Sequence, residues 1–283
     1  MELGTGYLLR FTQSGNSIIT GLPIDDLTLS ITEGWNLISG ISYLLDINAI
    51  IDPDNLIIPG TIYGFEEGGY ALVETMDPGY GYWVRSTGDG EITLSSSAPS
   101  GRIRTFQKPE DANSLVLNNT TLYFGKDVPL EEQFSYSMPP KPPVGAFDAR
   151  FKDGWRLIKD YGVIEVMPTT ETLTIAYDIM HNTGEHHNWA LTSDNGKEYL
   201  LKGTGEITVP SAQRFTLERK EIVPIEYTLH QNYPNPFNPI TTLRYDLPSD
   251  ALVTLSIYDM LGREITQLVN TAQEAGFKSV QWD

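Results

Sequence analysis

Cysteine is absent from all 283 residues. That excludes disulfide stapling, thiolate catalysis and cysteine-ligated zinc. It does not exclude an extracellular location, because modules of about 100 residues bury enough core without cross-links. Basic residues are scarce: 19 Lys and Arg stand against 37 Asp and Glu, a net charge of −18. Nucleic acid and anionic membrane surfaces demand basic patches, so neither is an expected partner. No apolar run of about 18 residues occurs, so no helix is expected to span a membrane. Met1-Glu2-Leu3-Gly4 has neither the basic nor the apolar region of a signal peptide. Apolar residues nowhere hold helical spacing for long. Catalytic signatures are missing too: there is no Gly-x-Ser-x-Gly elbow, no phosphate-cradling Gly-rich loop and no His-Glu-x-x-His. Paired carboxylates such as Glu66-Glu67 fall in a turn, where nothing separates their pKa values. The chain therefore reads as non-catalytic.

What is present points to strands. Fifteen Tyr, 25 Gly and 18 Pro accompany many short alternating runs, the pattern of an all-β chain of tandem β-sandwich, immunoglobulin-like modules with little helix. Two segments echo each other at an offset of 75 residues: Gly4-Thr5-Gly6-Tyr7-Leu8-Leu9-Arg10-Phe11-Thr12 and Gly79-Tyr80-Gly81-Tyr82-Trp83-Val84-Arg85-Ser86-Thr87. Each reads as a hairpin with a Gly-x-Gly lead-in, an aromatic strand, a tight turn and a β-branched return strand. Between them, Gly34-Trp35-Asn36-Leu37-Ile38-Ser39 followed by Gly81-Tyr82-Trp83-Val84 resembles a β-module found in large bacterial surface proteins. The resemblance divides the chain into the tail of one repeat unit (1–30) and a second unit (31–98), so an array is expected to begin upstream. Leu44 to Ile51 suits a short helix or a strand equally. Ile62–Phe65 and Tyr70–Val73 form a hairpin across Glu66-Glu67-Gly68-Gly69.

A Ser-rich linker at 95–101 precedes a central sandwich at 101–222, for which the alternating runs suit seven or eight strands. Inside it, Met138-Pro139-Pro140-Lys141-Pro142-Pro143 reads as a rigid loop across one end of the sandwich, or as a polyproline ligand for an aromatic groove. Leu122-Tyr123-Phe124-Gly125, this proline run and Phe147-Asp148-Ala149-Arg150-Phe151 together resemble a module that commonly precedes sorting domains.

The last region, 223–283, opens on Asn232-Tyr233-Pro234-Asn235-Pro236-Phe237-Asn238-Pro239. Three prolines in six residues cannot continue a helix or sit in a central strand, and they push the residues before them to extended geometry. The segment reads as a stiff loop ahead of alternating strands at Leu243, Tyr245, Leu247 and at Val253, Leu255, Ile257. With Thr241-Thr242-Leu243-Arg244-Tyr245, Ile257-Tyr258-Asp259, Leu261-Gly262-Arg263-Glu264 and Trp282-Asp283, it resembles the C-terminal sorting domain of the type IX secretion system of certain Gram-negative bacteria. The resemblance implies an address for export, read by outer-membrane secretion machinery, and a location outside the cell or on its outer surface. It makes Asn232 to Pro239, Gly262 and Arg263 the sorting-motif residues. Family members continue past the Trp-Asp with further strands, so an incomplete sandwich is expected here.

Other candidates are thinner. Trp35, Tyr82, Trp83 and Trp189 are candidate platforms for a polysaccharide or cell-surface ligand, because aromatic faces stack on sugar rings; filling sandwich cores is the alternative. His181, Glu185, His186 and His187 cluster ligand types in a loop, but neighbouring side chains of an extended segment point opposite ways, so no metal is assigned. Asp52-Pro53-Asp54-Asn55 supplies part of a calcium loop without its Gly or distal Glu; otherwise no cofactor is expected. Three functions are therefore open: a spacer with a sorting signal, a carbohydrate-binding or adhesion module, and an accessory piece of an extracellular hydrolase whose active site lies upstream.

Overall fold

Strict alternation writes the first strand. In Asp26–Ile31, Leu27, Leu29 and Ile31 are buried while Asp26, Thr28 and Ser30 face out, the period of two that one covered face imposes. The computed structural model describes residues 3–7, 21–66, 68–99, 101–102, 104–180 and 187–283. They fall into two compact units, one of residues 1–181 with 190–218 and one of 182–189 with 219–283. The all-β expectation holds.

The first unit begins with β1 (Asp26–Ile31), β2 (Gly34–Ser39), β3 (Leu45–Asp46), β4 (Tyr63–Glu66), β5 (Gly69–Leu72), β6 (Thr75–Met76), β7 (Gly81–Ser86) and β8 (Gly90–Ser95). β1 pairs with β8, and β2-β7-β4-β5 form a four-stranded sheet. Their inward residues share one core that includes Leu29, Ile31, Ile38, Tyr82, Val84, Ile92 and Leu94. The ambiguous stretch near Leu44 divides between the two-residue β3 and one 3-10 turn, Ile47–Ala49, capped by Asp46 accepting from the Asn48 amide at 2.8 Å. Gly6 runs beside β2, its amide donating to Leu37 O at 3.0 Å. A Cβ there would lie 2.6 Å from Ile38 O, so a larger residue is excluded. The rest of the first repeat copy, residues 8–20, lies outside the described residues.

Ten further strands follow: β9 (Asn113–Leu117), β10 (Thr120–Phe124), β11 (Asp148–Phe151), β12 (Leu157–Ile158), β13 (Tyr161–Met167), β14 (Thr172–Asp178), β15 (His187–Ser193), β16 (Glu198–Leu201), β17 (Thr204–Pro210) and β18 (Arg214–Glu221). They make two five-stranded sheets, β12-β10-β9-β14-β17 and β11-β13-β18-β15-β16. Leu115, Leu117, Leu122 and Phe124 are fully buried on the first sheet, as are Ile164, Phe215 and Leu217 on the second. Ten strands among the described residues exceed the seven or eight expected. The two-residue β12, parallel to β10, is too short to carry an alternation.

The 95–101 linker joins parts that pack together. Tyr63 OH donates to Ser137 O at 3.1 Å, and the Phe147 amide to Gly68 O at 2.8 Å. Two arginines are held by rings: Arg85 lies 4.3 Å from the Phe134 centroid, and Arg156 4.8 Å from that of Phe106 and 5.6 Å from that of Tyr63. Delocalised, weakly hydrated guanidinium suits such sites. The proline segment straps the sandwich: Pro139 and Pro142 are buried, Pro140 and Pro143 exposed, and the Arg150 guanidinium donates to Pro139 O.

The second unit carries β19 (Thr228–Leu229), β20 (Thr241–Leu247), β21 (Ala251–Tyr258), β22 (Glu264–Gln273) and β23 (Gly276–Trp282). β19-β20-β23 form one sheet and β21-β22 another. β20 and β23 stay in register from Thr241 opposite Trp282 to Leu247 opposite Gly276. Tyr245 and Leu247 are buried, while Val253, Leu255 and Ile257 on β21 are half-buried.

Candidate functional site

The proline loop is pinned at its two ends and open along its length. At the start, Tyr233 and Thr242 exchange amide-to-carbonyl bonds of 3.0 and 2.9 Å. Behind them Thr241, 1% exposed, donates its hydroxyl to Pro234 O at 2.9 Å and accepts from Asn232 Nδ2 at 3.0 Å. At the far end the Phe237 ring meets Trp282, centroids 5.0 Å apart and planes at 45°, a geometry aromatic pairs favour. The Tyr233–Pro234, Asn235–Pro236 and Asn238–Pro239 bonds are cis. Asn232 is half-buried, and Tyr233, Pro234, Asn235, Pro236, Phe237, Asn238 and Pro239 are all exposed. A backbone fixed from both ends thus presents a row of rings and amides to solvent.

The second element is the turn between β21 and β22. Asp259 organises it: Oδ1 accepts the amides of Leu261 at 2.8 Å and Arg263 at 2.9 Å, and Oδ2 accepts Arg263 Nε at 2.7 Å. An aspartate bonding backbone two residues on is the chemistry of an Asx turn. The Arg263 amide, then the Arg263 side chain, hold the Asp259 carboxyl below its usual range. Gly262 has φ +78°, and a Cβ placed on it would meet nothing within 4 Å, so the glycine meets a left-handed backbone rather than a lack of space. Met260 and Leu261 at the tip are wholly or largely exposed.

Residues 231–280 match the family of the secretion system C-terminal sorting domain. No curated protein and no solved structure matches the chain. The sorting domain includes every sorting-motif residue named from the sequence, Asn232 to Pro239 with Gly262 and Arg263. Thr241 and Asp259 were not among them, yet they fix the loop and the turn. The Asp-x-x-Gly-Arg spacing carries that signal for Asp259, and the Thr241-Thr242-Leu243-Arg244-Tyr245 run after the loop carries it for Thr241. The match supports secretion and surface sorting, which implies engagement with the secretion machinery. Among the described residues no helix is long and apolar enough to cross a membrane.

The four aromatic candidates separate. Tyr82 and Trp189 are 3% and 6% exposed, so they present no open ring face and the surface reading of both is corrected to core. Tyr82 also accepts the Asp77 amide at 2.6 Å. Trp83 is half-buried on the other face of β7 and donates to Tyr70 OH at 2.9 Å. Trp35 is half-buried and lines a cleft of about 440 Å³. In the acidic loop, Asp52 is buried and accepts the amides of Leu56 at 2.8 Å and Ile57 at 3.0 Å, with Arg104 at 3.6 Å. Its oxygens cap a turn and face a guanidinium. Of the histidine cluster, His181, Glu185 and His186 lie outside the described residues, and His187 begins β15. Among the described residues no three potential ligands converge on a metal position.

Proposed function

We propose that the sorting domain is an address read by the outer-membrane export machinery of a Gram-negative bacterium, and that the preceding sandwiches are a non-catalytic spacer on the exported chain. One observation carries the reading: the family match at 231–280 falls wholly within a unit that clusters by itself, residues 219–283 with 182–189. A label that folds by its own contacts keeps the same recognition surface whatever precedes it. The two elements named from the sequence, the proline loop and the Met260–Arg263 tip of the second turn, are both exposed. For the spacer, the support is mechanical. Cation–π contacts and main-chain bonds join the β1–β8 part to the β9–β18 sandwich, as a stiff stalk requires.

The test is made in the host's own gene. Replacing Asp259 and Arg263 together by Ala removes the turn's organiser while leaving the upstream sandwiches unchanged. The variant is expected to be retained inside the cell, protected from protease added to intact cells. A variant as accessible to that protease as the wild type would overturn the address reading.

A further inference from the structure

The outer face of β11, β13 and β18 brings together charges that the sequence scatters. Arg150 stands opposite Glu165, and Glu165 opposite Arg214, so the three form one row across three strands. Lys141, from the proline strap, reaches Glu165 at 2.6 Å. Two clefts flank this ion pair and share both its residues. One, of about 440 Å³, is lined by Trp35, Pro140 and Lys152 among others; the other, of about 360 Å³, by Val144, Met167 and Arg214. The two clefts therefore meet at the Lys141–Glu165 pair and form one groove lined from both sides of it.

The charge of the groove runs against the charge of the molecule. Arg150 is buried and engaged by Asp148, Nε and Nη2 donating to its carboxylate at 2.6 Å. That leaves Lys141, Lys152 and Arg214 facing Glu165 and Asp153, a net positive lining on a chain of net charge −18. The field is felt at Glu165, whose carboxyl is held below its usual range, first by the Lys141 hydrogen bond and further by Arg214 and Lys152. An anionic ligand fits such a lining. Nucleic acid does not, since its dense charge would be repelled by the acidic remainder of the surface. A peptide is disfavoured by the wall: Pro139 and Pro140 have no amide hydrogen to donate, so this part of the strap cannot support a regular β-ladder with an added strand. Recognition falls to side-chain cations and to the Trp35 ring.

We propose that this groove binds an acidic oligosaccharide, with sugar carboxylates meeting Lys141, Lys152 and Arg214 and a pyranose ring meeting Trp35. The site is distinct from the sorting domain and gives the spacer a ligand of its own, such as an acidic polysaccharide of a surface or matrix.

Calorimetric titration of the full chain with a hexamer of galacturonic acid tests it, beside a neutral glucose hexamer and hexaglutamate. The uronate is expected to bind, more weakly as salt rises, with the neutral hexamer weaker by about tenfold or more. Lys152→Gln alters an exposed side chain and is expected to leave the melting temperature unchanged while weakening uronate binding roughly tenfold; Trp35→Ala is expected to do at least as much. The proposal is overturned by the absence of uronate binding, by unchanged affinity in Lys152→Gln, or by hexaglutamate binding as tightly, which would make the groove a peptide site.

Discussion

Thr241→Val isolates the anchor of the proline loop. Valine keeps the branched shape that suits a strand and exchanges only the hydroxyl for a methyl group. In the folded chain that hydroxyl donates to Pro234 O at 2.9 Å and accepts from Asn232 Nδ2 at 3.0 Å, at a site 1% exposed. Removing it leaves a carbonyl and an amide without this shared partner, and a buried polar group so stranded costs about 1–3 kcal/mol. The cost falls on local opening of the loop from β20, because the Tyr233–Thr242 pair is the next bond along. At 1.4 kcal/mol per factor of ten, amide exchange over 231–243 is expected to accelerate by roughly five- to 150-fold. Hydrogen exchange read by mass spectrometry on the full chain resolves this segment from the β9–β18 sandwich, which is expected to be unchanged. Thr254→Val, which removes only an exposed 3.5 Å contact to Asn270, serves as the matched control. Equal exchange in Thr241→Val and wild type, or acceleration spread evenly over both units, would contradict the anchoring role.

Three further outcomes follow from the geometry. Asp52→Ala strands buried Arg104 and two amides and is expected to lower stability by about 3–5 kcal/mol, whereas Asp54→Ala stays within about 0.5 kcal/mol; millimolar calcium is expected to leave both melting curves in place, read by differential scanning calorimetry. The Asp259 carboxyl has a lowered folded pKa, so its contribution is complete above the ordinary aspartate range and is lost as pH falls through the lowered value. Amide protection over 258–264, taken relative to the intrinsic exchange rate at each pH, is therefore expected to fall on acidification in the wild type, with that pH dependence reduced in Asp259→Asn, which keeps an acceptor for the two amides. Phe215→Ala empties a fully buried site of the central sandwich and is expected to cost about 3–5 kcal/mol, measured by urea unfolding, while exchange in the sorting domain is unaffected.

Alternation made much of this fold legible. Leu27, Leu29 and Ile31 announce the buried face of β1, and Tyr245 and Leu247 that of β20. Proline spacing located the loop, and Asp-x-x-Gly-Arg located the turn, because both are local rules of backbone geometry. The aromatics were harder. Tyr82 and Trp83 are neighbours in a strand and must point to opposite faces, so grouping them by type could not say which enters the core. The groove was invisible for a different reason: Arg150, Glu165 and Arg214 meet only through two antiparallel registers, and nothing near any of them in sequence forecasts the others. Pairing of the short β12 with β10 likewise depends on tertiary contact rather than pattern.

Fractionation of host cells decides the functional reading. The protein is followed by antibody in the periplasm, at the cell surface and in the medium, in wild-type cells and in cells whose type IX outer-membrane translocon has been inactivated. The sorting reading requires protein at the surface or in the medium of wild-type cells and its accumulation in the periplasm of the inactivated strain. The same distribution in both strains would contradict it.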